Sequence, residues 1–290
     1  MTYSPTTLLL GCGYTLSRVA RILGANAVLC TTRSAASAAS LQAENFVCEP
    51  IVITDTERLR EILDRYPSIT TIVDGVPPIF EERGDTGTLG PRSVLAAVGA
   101  RPLRIIYLST TGVYGERNGA IVTEATVPRP AEPHAAARLA CEQLYAERGS
   151  LTSILRVAGI YGPGRSILDR LVRGEYRFVA GADRWTNRIH VEDLAMAITR
   201  LISYKATAGE ATNGEPPPAI LNASDSDWMR VSEMIALCAK YATFPPPRSI
   251  SPEVAHHTML SNQRVDTTLL RSTLLPNPRY PNLESFLQTA

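Results

Sequence analysis

The segment that most constrains this chain is an apolar run, Leu8-Leu9-Leu10, which stops at Gly11-Cys12-Gly13 and leads into a helical pattern. The run does not alternate with polar residues, as expected of a parallel strand that is covered on both faces. The two glycines allow a tight turn and a close approach of the backbone to a phosphate at the next helix N-terminus. We therefore expect a first strand, a dinucleotide-binding turn, and a helix that begins at Ser17.

The turn departs from the usual G-x-G-x-x-G pattern because Leu16 stands where the third glycine is expected. Without that glycine, we expect the helix to contact the strand at a larger separation or a different angle. A lone G-x-G also fits a plain strand-to-helix turn. On the dinucleotide interpretation, the cofactor contacts come from Gly11, Gly13, Tyr14, Thr15 and Leu16.

Charge and composition exclude several classes of protein. The 290 residues carry 29 Lys and Arg against 28 Asp and Glu, a net charge of +1, so nothing indicates binding to nucleic acid or to an anionic membrane. No apolar run approaches the length of a membrane span, and we expect a cytoplasmic protein. The five cysteines are widely spaced without a C-x-x-C pair, which predicts reduced core thiols and no metal site.

Strand and helix patterns alternate along the first half of the chain, which predicts an α/β fold with a doubly wound parallel sheet. The later strands are expected at 26–32, 46–53, 69–76, 103–108, 151–156 and 219–223. The helices are expected at 17–23, 56–66, up to 98, up to 147, 193–202 and 227–241. A surface loop is expected at 209–218.

The end of the second strand carries information about the cofactor. An NAD site usually places an acidic residue there, on the adenosine ribose, whereas a basic residue suits the 2′-phosphate of NADP. Here the strand ends in Thr32-Arg33-Ser34 without an acid, which favours NADP, with Arg33 as the phosphate ligand. A solvated surface arginine is the alternative, and NAD the alternative cofactor.

Two further strand ends carry candidate site residues. Val76 ends the fourth strand and Pro77 follows it, and both can flank a cofactor, although prolines also simply end strands. The fifth strand delivers the hydroxyl cluster Ser109-Thr110-Thr111. In open parallel sheets ligands bind outside the carboxyl ends of the strands, so this cluster lies where chemistry is expected.

Three segments together resemble a known family. They are LSTTGVYG at 108–115, LRVAGIYGPG at 155–164 and RIHVEDLA at 188–195. In this order, after a glycine turn, they are similar to signatures of the extended short-chain dehydrogenase/reductases, the NAD(P)-dependent epimerase/dehydratase group. The resemblance implies a Rossmann domain at 1–156, to which about 190–223 returns, and a smaller substrate domain within 157–290. It also implies a homodimer formed through helices near 91–98 and 134–148.

The chain departs from this family at the catalytic pair. Members combine a Ser or Thr, here Thr110, with Tyr-x-x-x-Lys on the next helix, and these two positions fall on His134 and Arg138. The spacing keeps both side chains on one helical face. Histidine exchanges protons near neutral pH, while a guanidinium can hold ribose hydroxyls but cannot shuttle protons. Cationic Arg138 one turn away favours the neutral imidazole.

Three interpretations of this pair remain open. His134 acts as acid or base in a modified oxidoreductase or epimerase; the site binds its ligands but performs different or no redox chemistry; or His134 only caps the helix after Pro133. By the same resemblance, Val157 runs beside the nicotinamide. The candidate substrate contacts are Thr111, Tyr161, Arg165, Trp185 and Arg188. Arginines suit anionic groups and an indole offers a stacking surface, although surface charge and core packing are the alternatives.

The sequence thus predicts an NADP-preferring oxidoreductase or epimerase for a small polar metabolite or nucleotide-sugar-like substrate. In this interpretation Thr110 polarises a substrate oxygen, His134 transfers the proton and Arg138 fixes the ribose. The alternative is a non-catalytic NAD(P)-binding sensor or scaffold.

Overall fold

A computed structural model describes residues 3–80, 86–204, 216–225, 227–255 and 261–289 of the chain. The chain alternates strands and helices over its first 157 residues. The elements of this part are β1 Thr7–Leu10, α1 Leu16–Leu23, β2 Val28–Thr32, α2 Ala35–Ala43, β3 Cys48–Pro50, α3 Thr56–Arg65, β4 Thr71–Asp74, α4 Leu89–Val98, β5 Arg104–Thr110, β6 Ile121–Val122, α5 Pro133–Ala146 and β7 Thr152–Val157.

The second half contains shorter strands between helices. Its elements are β8 Gly159–Tyr161, α6 Ile167–Val172, β9 Arg177–Val179, β10 Trp185–Thr186, β11 Arg188–His190, α7 Val191–Ile202, β12 Ile220–Ala223, β13 Met229–Arg230, α8 Val231–Cys238, β14 Arg248–Ile250, β15 Arg264–Val265, α9 Thr268–Thr273 and α10 Leu283–Leu287. No helix of the described residues is long and apolar enough to cross a membrane.

A seven-stranded parallel sheet in the order β12-β7-β5-β4-β1-β2-β3 confirms the predicted fold class. All four residues of β1 and of β4 and all five of β2 are buried, as the unbroken apolar pattern requires. The expected strand at 46–53 is shorter. It ends at Pro50, whose missing N–H is tolerated because β3 is an edge strand of the sheet.

The chain divides into two compact units. The first comprises Met1–Ser109, Ala136–Leu155 and Ala195–Leu221, and the second comprises Thr110–Ala135, Arg156–Leu194 and Asn222–Ala290. The core of the first unit lies between the sheet and helices α3 to α5 and includes Leu8, Ile62 and Tyr145. The core of the second unit packs α6, α8 and α10 around Tyr161. The domain boundaries given by the family resemblance stay a prediction.

Several helices differ from the expectation, and α6, α9 and α10 were not predicted. α2 was not predicted, because its alanines and serines carry little periodic pattern; Ser34 caps it by accepting the Ser37 N–H at 3.2 Å. α7 begins at Val191 and not at Asp193, since the His190 imidazole Nδ1 accepts the Glu192 N–H at 3.2 Å. His190 is thus a buried histidine that forms a hydrogen bond.

The expected helix at 227–241 is shorter because its start is used by a strand. Met229 and Arg230 form β13, which pairs with β10, and α8 follows from Val231 to Cys238. The five cysteines are reduced and buried, as predicted. Residues 209–215 of the expected loop at 209–218 lie outside the described residues.

Candidate functional site

The turn between β1 and α1 is built around two glycines with different roles. Gly11 has φ +74°, a left-handed conformation that favours glycine, and a Cβ there would lie 2.9 Å from Val76 Cγ2. Gly13 is exposed, and a Cβ there would meet only the Gly11 carbonyl oxygen, at 3.9 Å. No side chain caps the N-terminus of α1, which begins at Leu16. The open backbone at Gly13 and this uncapped helix end suit a phosphate group.

The residues that follow Gly13 are held locally. Tyr14 is half-buried, and the Arg18 guanidinium lies over its ring at 4.2 Å and donates to its carbonyl oxygen at 2.6 Å. Thr15 is buried at the helix start. The turn is also tied to the second strand, because the Cys12 N–H donates to the Thr31 carbonyl at 2.7 Å.

Leu16 is accommodated by a small residue on the neighbouring strand. Its side chain is buried at the end of β4, where a Cβ added to Gly75 would lie 3.0 Å from Leu16 Cδ1. The glycine missing from α1 therefore has a counterpart in Gly75. A close contact between helix and sheet is made with the small residue on the strand side.

We predict that Gly75→Ala destabilises the protein by about 1–3 kcal/mol because the new methyl group overpacks against Leu16. Leu16→Ala alone leaves a cavity and costs about 2–5 kcal/mol. In the Leu16→Ala background, Gly75→Ala should cost little or be favourable. Urea unfolding of the two single variants and the double variant checks this, and additive losses would refute the pairing.

The end of β2 carries the predicted NADP residues in an ordered arrangement. The Thr32 hydroxyl donates to the Ser34 carbonyl at 3.0 Å, while Ser34 caps α2. Arg33 is exposed and forms no hydrogen bond or ion pair within the described part of the chain. Because β1 and β2 are parallel neighbours, Arg33 leaves the sheet at the same edge as the Gly11 turn.

Arg138 is anchored at the carboxyl ends of β4 and β5. Its Nη1 donates to the carbonyl oxygens of Val76 at 3.2 Å and Leu108 at 2.8 Å, and to the Tyr107 hydroxyl at 3.0 Å. The structure thus brings together Gly11, Val76 and Arg138 in the first unit. Pro77 follows Val76 and is exposed. Within the described residues, Nη2 and Nε of Arg138 have no hydrogen-bond partner in the protein.

The other two predicted catalytic residues belong to the second unit. Thr110 ends β5, and its Oγ1 accepts the Gly112 N–H at 3.1 Å, which caps a short helical turn, Thr111–Tyr114. His134 is exposed in the first turn of α5, and Arg138 lies one turn later on that helix. The spacing on one helix is as predicted.

The predicted substrate residues of the second unit differ in accessibility. Thr111, Val157, Tyr161 and Arg188 are buried, whereas Arg165 is exposed and Trp185 half-exposed. Arg188 donates to Thr186 Oγ1 and to Met234 Sδ, and the Thr111 carbonyl accepts from Gln263 Nε2 at 2.8 Å. Arg188 therefore supports the interior of this unit, while Arg165 and Trp185 present accessible surface.

Two arginines beside Trp185 were missed by the sequence analysis. The guanidinium of Arg230 lies 4.6 Å from the Trp185 ring, and that of Arg264 lies 5.3 Å from it. Arg230 is the cross-strand partner of Trp185 between β10 and β13, whereas Arg264 comes from β15. No spacing in the sequence signals this cluster, because three separate segments supply it. Its arginines add positive charge to an aromatic surface.

A buried carboxyl group lies near Arg188. Asp225 is 6% exposed, and burial raises its pKa to about 8, although the positive charge of Arg188 opposes the shift. Its carboxyl group is therefore protonated in the folded protein at pH values where it is ionised in the unfolded chain.

Because the pKa of Asp225 is higher in the folded state, its contribution to stability falls as the pH rises from about 4 to about 8. We predict that Asp225→Asn removes this dependence. The stability of the variant relative to the wild type should rise by roughly 1–5 kcal/mol between pH 5 and pH 8. Urea unfolding between pH 5 and pH 8.5 measures the difference.

Asp183→Asn is the matched control for this prediction. Burial alone would raise the pKa of Asp183, but hydrogen bonds from Ser232 lower it, so this substitution should not remove the stability loss towards pH 8. A wild-type protein that becomes more stable between pH 5 and pH 8, in a manner abolished by Asp225→Asn, would contradict the predicted sign.

Comparison with known proteins decides the family. The model of the NAD dependent epimerase/dehydratase family matches residues 12–213. The chain belongs to this family. This confirms the family resemblance stated from the three segments. The absence of the family's Tyr and Lys at His134 and Arg138 stays a prediction.

Proteins similar to this epimerase/dehydratase family member include one from Escherichia coli and one from Silicibacter pomeroyi. The chain is 30% identical to protein YeeZ of Escherichia coli K12 over 220 residues, which cover 66% of this chain and 74% of YeeZ. A functionally unknown conserved protein from Silicibacter pomeroyi is 26% identical, with a TM-score of 0.74 over 99% of this chain and 98% of that one.

More distant structures share the fold. The UDP-glucose 4-epimerase of Thermotoga maritima, solved with UDP-glucose, is 18% identical, with a TM-score of 0.75 and 97% of each chain covered. The dTDP-glucose 4,6-dehydratase of Bacillus anthracis, solved with NAD, is 15% identical, with a TM-score of 0.77 over 98% of this chain and 96% of that one. At these identities the likeness establishes the fold alone.

Proposed function

We propose that this epimerase/dehydratase family member binds NADP in preference to NAD and acts as an oxidoreductase or epimerase. The observation that carries the proposal is the pair of neighbouring strand ends in the first unit. The Gly11–Gly13 turn leaves its backbone open in front of α1, and exposed Arg33 follows β2 at the same sheet edge without an acidic residue beside it. This combination suits a pyrophosphate and a ribose 2′-phosphate.

The residues present fit such a cofactor. Bound NADP supplies the capacity to give or accept a hydride. The backbone from Gly11 to Leu16 holds the pyrophosphate, and Thr32, Arg33 and Ser34 hold the adenosine side. Val76, Pro77 and Val157 flank the nicotinamide side. Nη2 and Nε of Arg138 hold ribose hydroxyls, since only Nη1 is engaged by the sheet.

The proton chemistry is assigned to the second unit and the start of α5. Thr110 polarises a substrate oxygen through its hydroxyl group. Exposed His134 exchanges a proton with that oxygen, in place of the phenol used by the family. Arg138 contributes charge and orientation but no proton.

We further propose that the substrate is a small polar metabolite or nucleotide-sugar-like compound. Arg165 and Trp185 offer an accessible cation and an accessible ring, and Arg230 and Arg264 add positive charge beside that ring. Thr111, Tyr161 and Arg188 complete the predicted substrate set, and all three are buried. The Thermotoga epimerase that shares this fold was solved with UDP-glucose, which supports this substrate class.

A second candidate, a non-catalytic NADP-binding sensor or scaffold, is favoured by one observation. Arg138, at the proposed position of the family's lysine, donates from Nη1 to three protein groups of the first unit. This nitrogen therefore supports the protein structure and is not free to act on a ligand. The two candidates share cofactor binding and differ in turnover.

We predict that the wild type binds NADPH more tightly than NADH. Arg33→Ala should weaken NADPH binding roughly tenfold, the equivalent of about 1.4 kcal/mol, and leave NADH binding within about twofold. Isothermal titration calorimetry with both nucleotides measures this. Arg60→Ala, which removes an exposed arginine paired with Glu57 on α3, controls for net charge. Equal wild-type affinities for NADPH and NADH would overturn the NADP preference.

For the proton-transfer role, we predict that His134→Ala lowers kcat by roughly 10²- to 10⁴-fold on a substrate found by screening nucleotide sugars and small hydroxy compounds. His134→Tyr should retain part of the activity, and Gln143→Ala, an exposed change on the same helix, should retain all of it. Unchanged turnover in His134→Ala would show that His134 does not transfer the proton, while the proposal that the protein is an enzyme would stand. Cofactor binding without turnover on any compound would favour the sensor.

A further inference from the structure

A buried acid and a buried phenol lie beside the proposed cofactor site and have no part in the chemistry above. Asp74 is the last residue of β4 and is 1% exposed, and Tyr145 on α5 is fully buried. The Tyr145 hydroxyl donates to Asp74 Oδ2 at 2.7 Å, and the Val76 N–H donates to Asp74 Oδ1 at 2.9 Å. Both oxygens of the carboxyl group are thus used within the first unit.

Burying this pair of polar side chains costs free energy of folding. Burial raises the pKa of Asp74, while the hydrogen bonds from Tyr145 and Val76 and the charge of Arg138 oppose the shift. A well-packed apolar pair of similar volume would often be as stable or more stable. The groups that face Asp74 are Tyr145, Arg138 and Cys141 from α5 and Tyr107 from β5.

Asp74 accepts a hydrogen bond from Val76, and Val76 lies against three residues of the first unit. Its N–H is held by Asp74, its carbonyl oxygen accepts from Arg138, and its Cγ2 lies where a Cβ of Gly11 would come within 2.9 Å. One residue therefore contacts both the dinucleotide turn and the guanidinium proposed to hold the ribose. A change in the position of Val76 alters both.

We infer that Asp74 and Tyr145 are positioning residues for the dinucleotide, because they fix Val76 against the Gly11 turn and beneath Arg138. This inference rests on the proposed function, since it needs a bound nucleotide to have a consequence. Tyr145 fixes the rotamer of Asp74, and Asp74 fixes the Val76 backbone through a local turn. A merely structural pair would lower stability on substitution and leave nucleotide affinity unchanged.

The test compares Tyr145→Phe with Tyr3→Phe. Both remove one hydroxyl that donates at 2.7 Å in the first unit, but Tyr3 donates to the Val28 carbonyl and does not contact Val76. Tyr145→Phe removes the hydrogen bond that holds Asp74, and through it Val76, in place before the nucleotide binds. We expect this loss to weaken NADPH binding roughly threefold to tenfold. Tyr3→Phe should bind as the wild type does.

Conservative rescue provides the second arm. Asp74→Asn keeps an acceptor oxygen for the Val76 N–H and offers an amide N–H to the Tyr145 oxygen, so its NADPH affinity should stay within about twofold of the wild type. Asp74→Leu removes the acceptor and should weaken binding at least as much as Tyr145→Phe. If Asp74→Leu fails to fold, the comparison of Tyr145→Phe with Asp74→Asn decides.

A measurement on the nucleotide-free protein tests the positioning of Val76 without relying on nucleotide binding. Hydrogen exchange at the Val76 amide should be faster in Tyr145→Phe than in the wild type and in Tyr3→Phe. Unchanged exchange would overturn the inference, and so would faster exchange in a folded Tyr145→Phe variant with wild-type NADPH affinity. If the wild type binds neither NADPH nor NADH, the proposed function fails and this inference fails with it. If the wild type binds NADPH and the Tyr145→Phe and Asp74→Leu variants bind it equally well, the inference fails and the proposed function stands.

Discussion

The close approach of Gly11 to Val76 is the constraint on which the first unit depends. A side chain at Gly11 would come within 2.9 Å of Val76 Cγ2, so the turn can lie against the end of β4 only as glycine. The same Val76 is bonded through its N–H to Asp74 and through its carbonyl to Arg138. The positions of the turn, of the β4 end and of α5 are therefore linked through one backbone segment.

The inner face of α5 combines buried apolar residues with three polar groups that bond to the sheet. Arg138, Glu142 and Tyr145 each bond a residue or carbonyl of β4 or β5, with Ser109 donating to Glu142 at 2.5 Å. Polar contacts fix a helix in one register, whereas apolar contacts tolerate sliding. This arrangement explains why Arg138 is anchored on one nitrogen and available on the others.

The sequence predicted the parallel sheet and most helices that pack on it, for identifiable reasons. Buried strands and the Gly11 turn leave strong local signals, and the family match over 12–213 confirmed the signatures. α2 was missed because Ser34 caps a helix with almost no apolar pattern. The partners of Trp185 and the Asp74–Tyr145 pair were missed because residues far apart in the chain form them. The roles of His134, Arg138 and Arg33 stay predictions.

By itself, the sequence determined the alternation of strands and helices, the glycine turn and the family, because each depends on neighbouring residues or on motifs in a fixed order. Only the tertiary structure decided how the missing third glycine is replaced, since the space for Leu16 comes from Gly75 on another strand. It alone also decided that Arg188 supports an interior while Arg33 stays accessible. Burial and long-range hydrogen bonds depend on which strands become neighbours, and the residue pattern of one segment does not encode that.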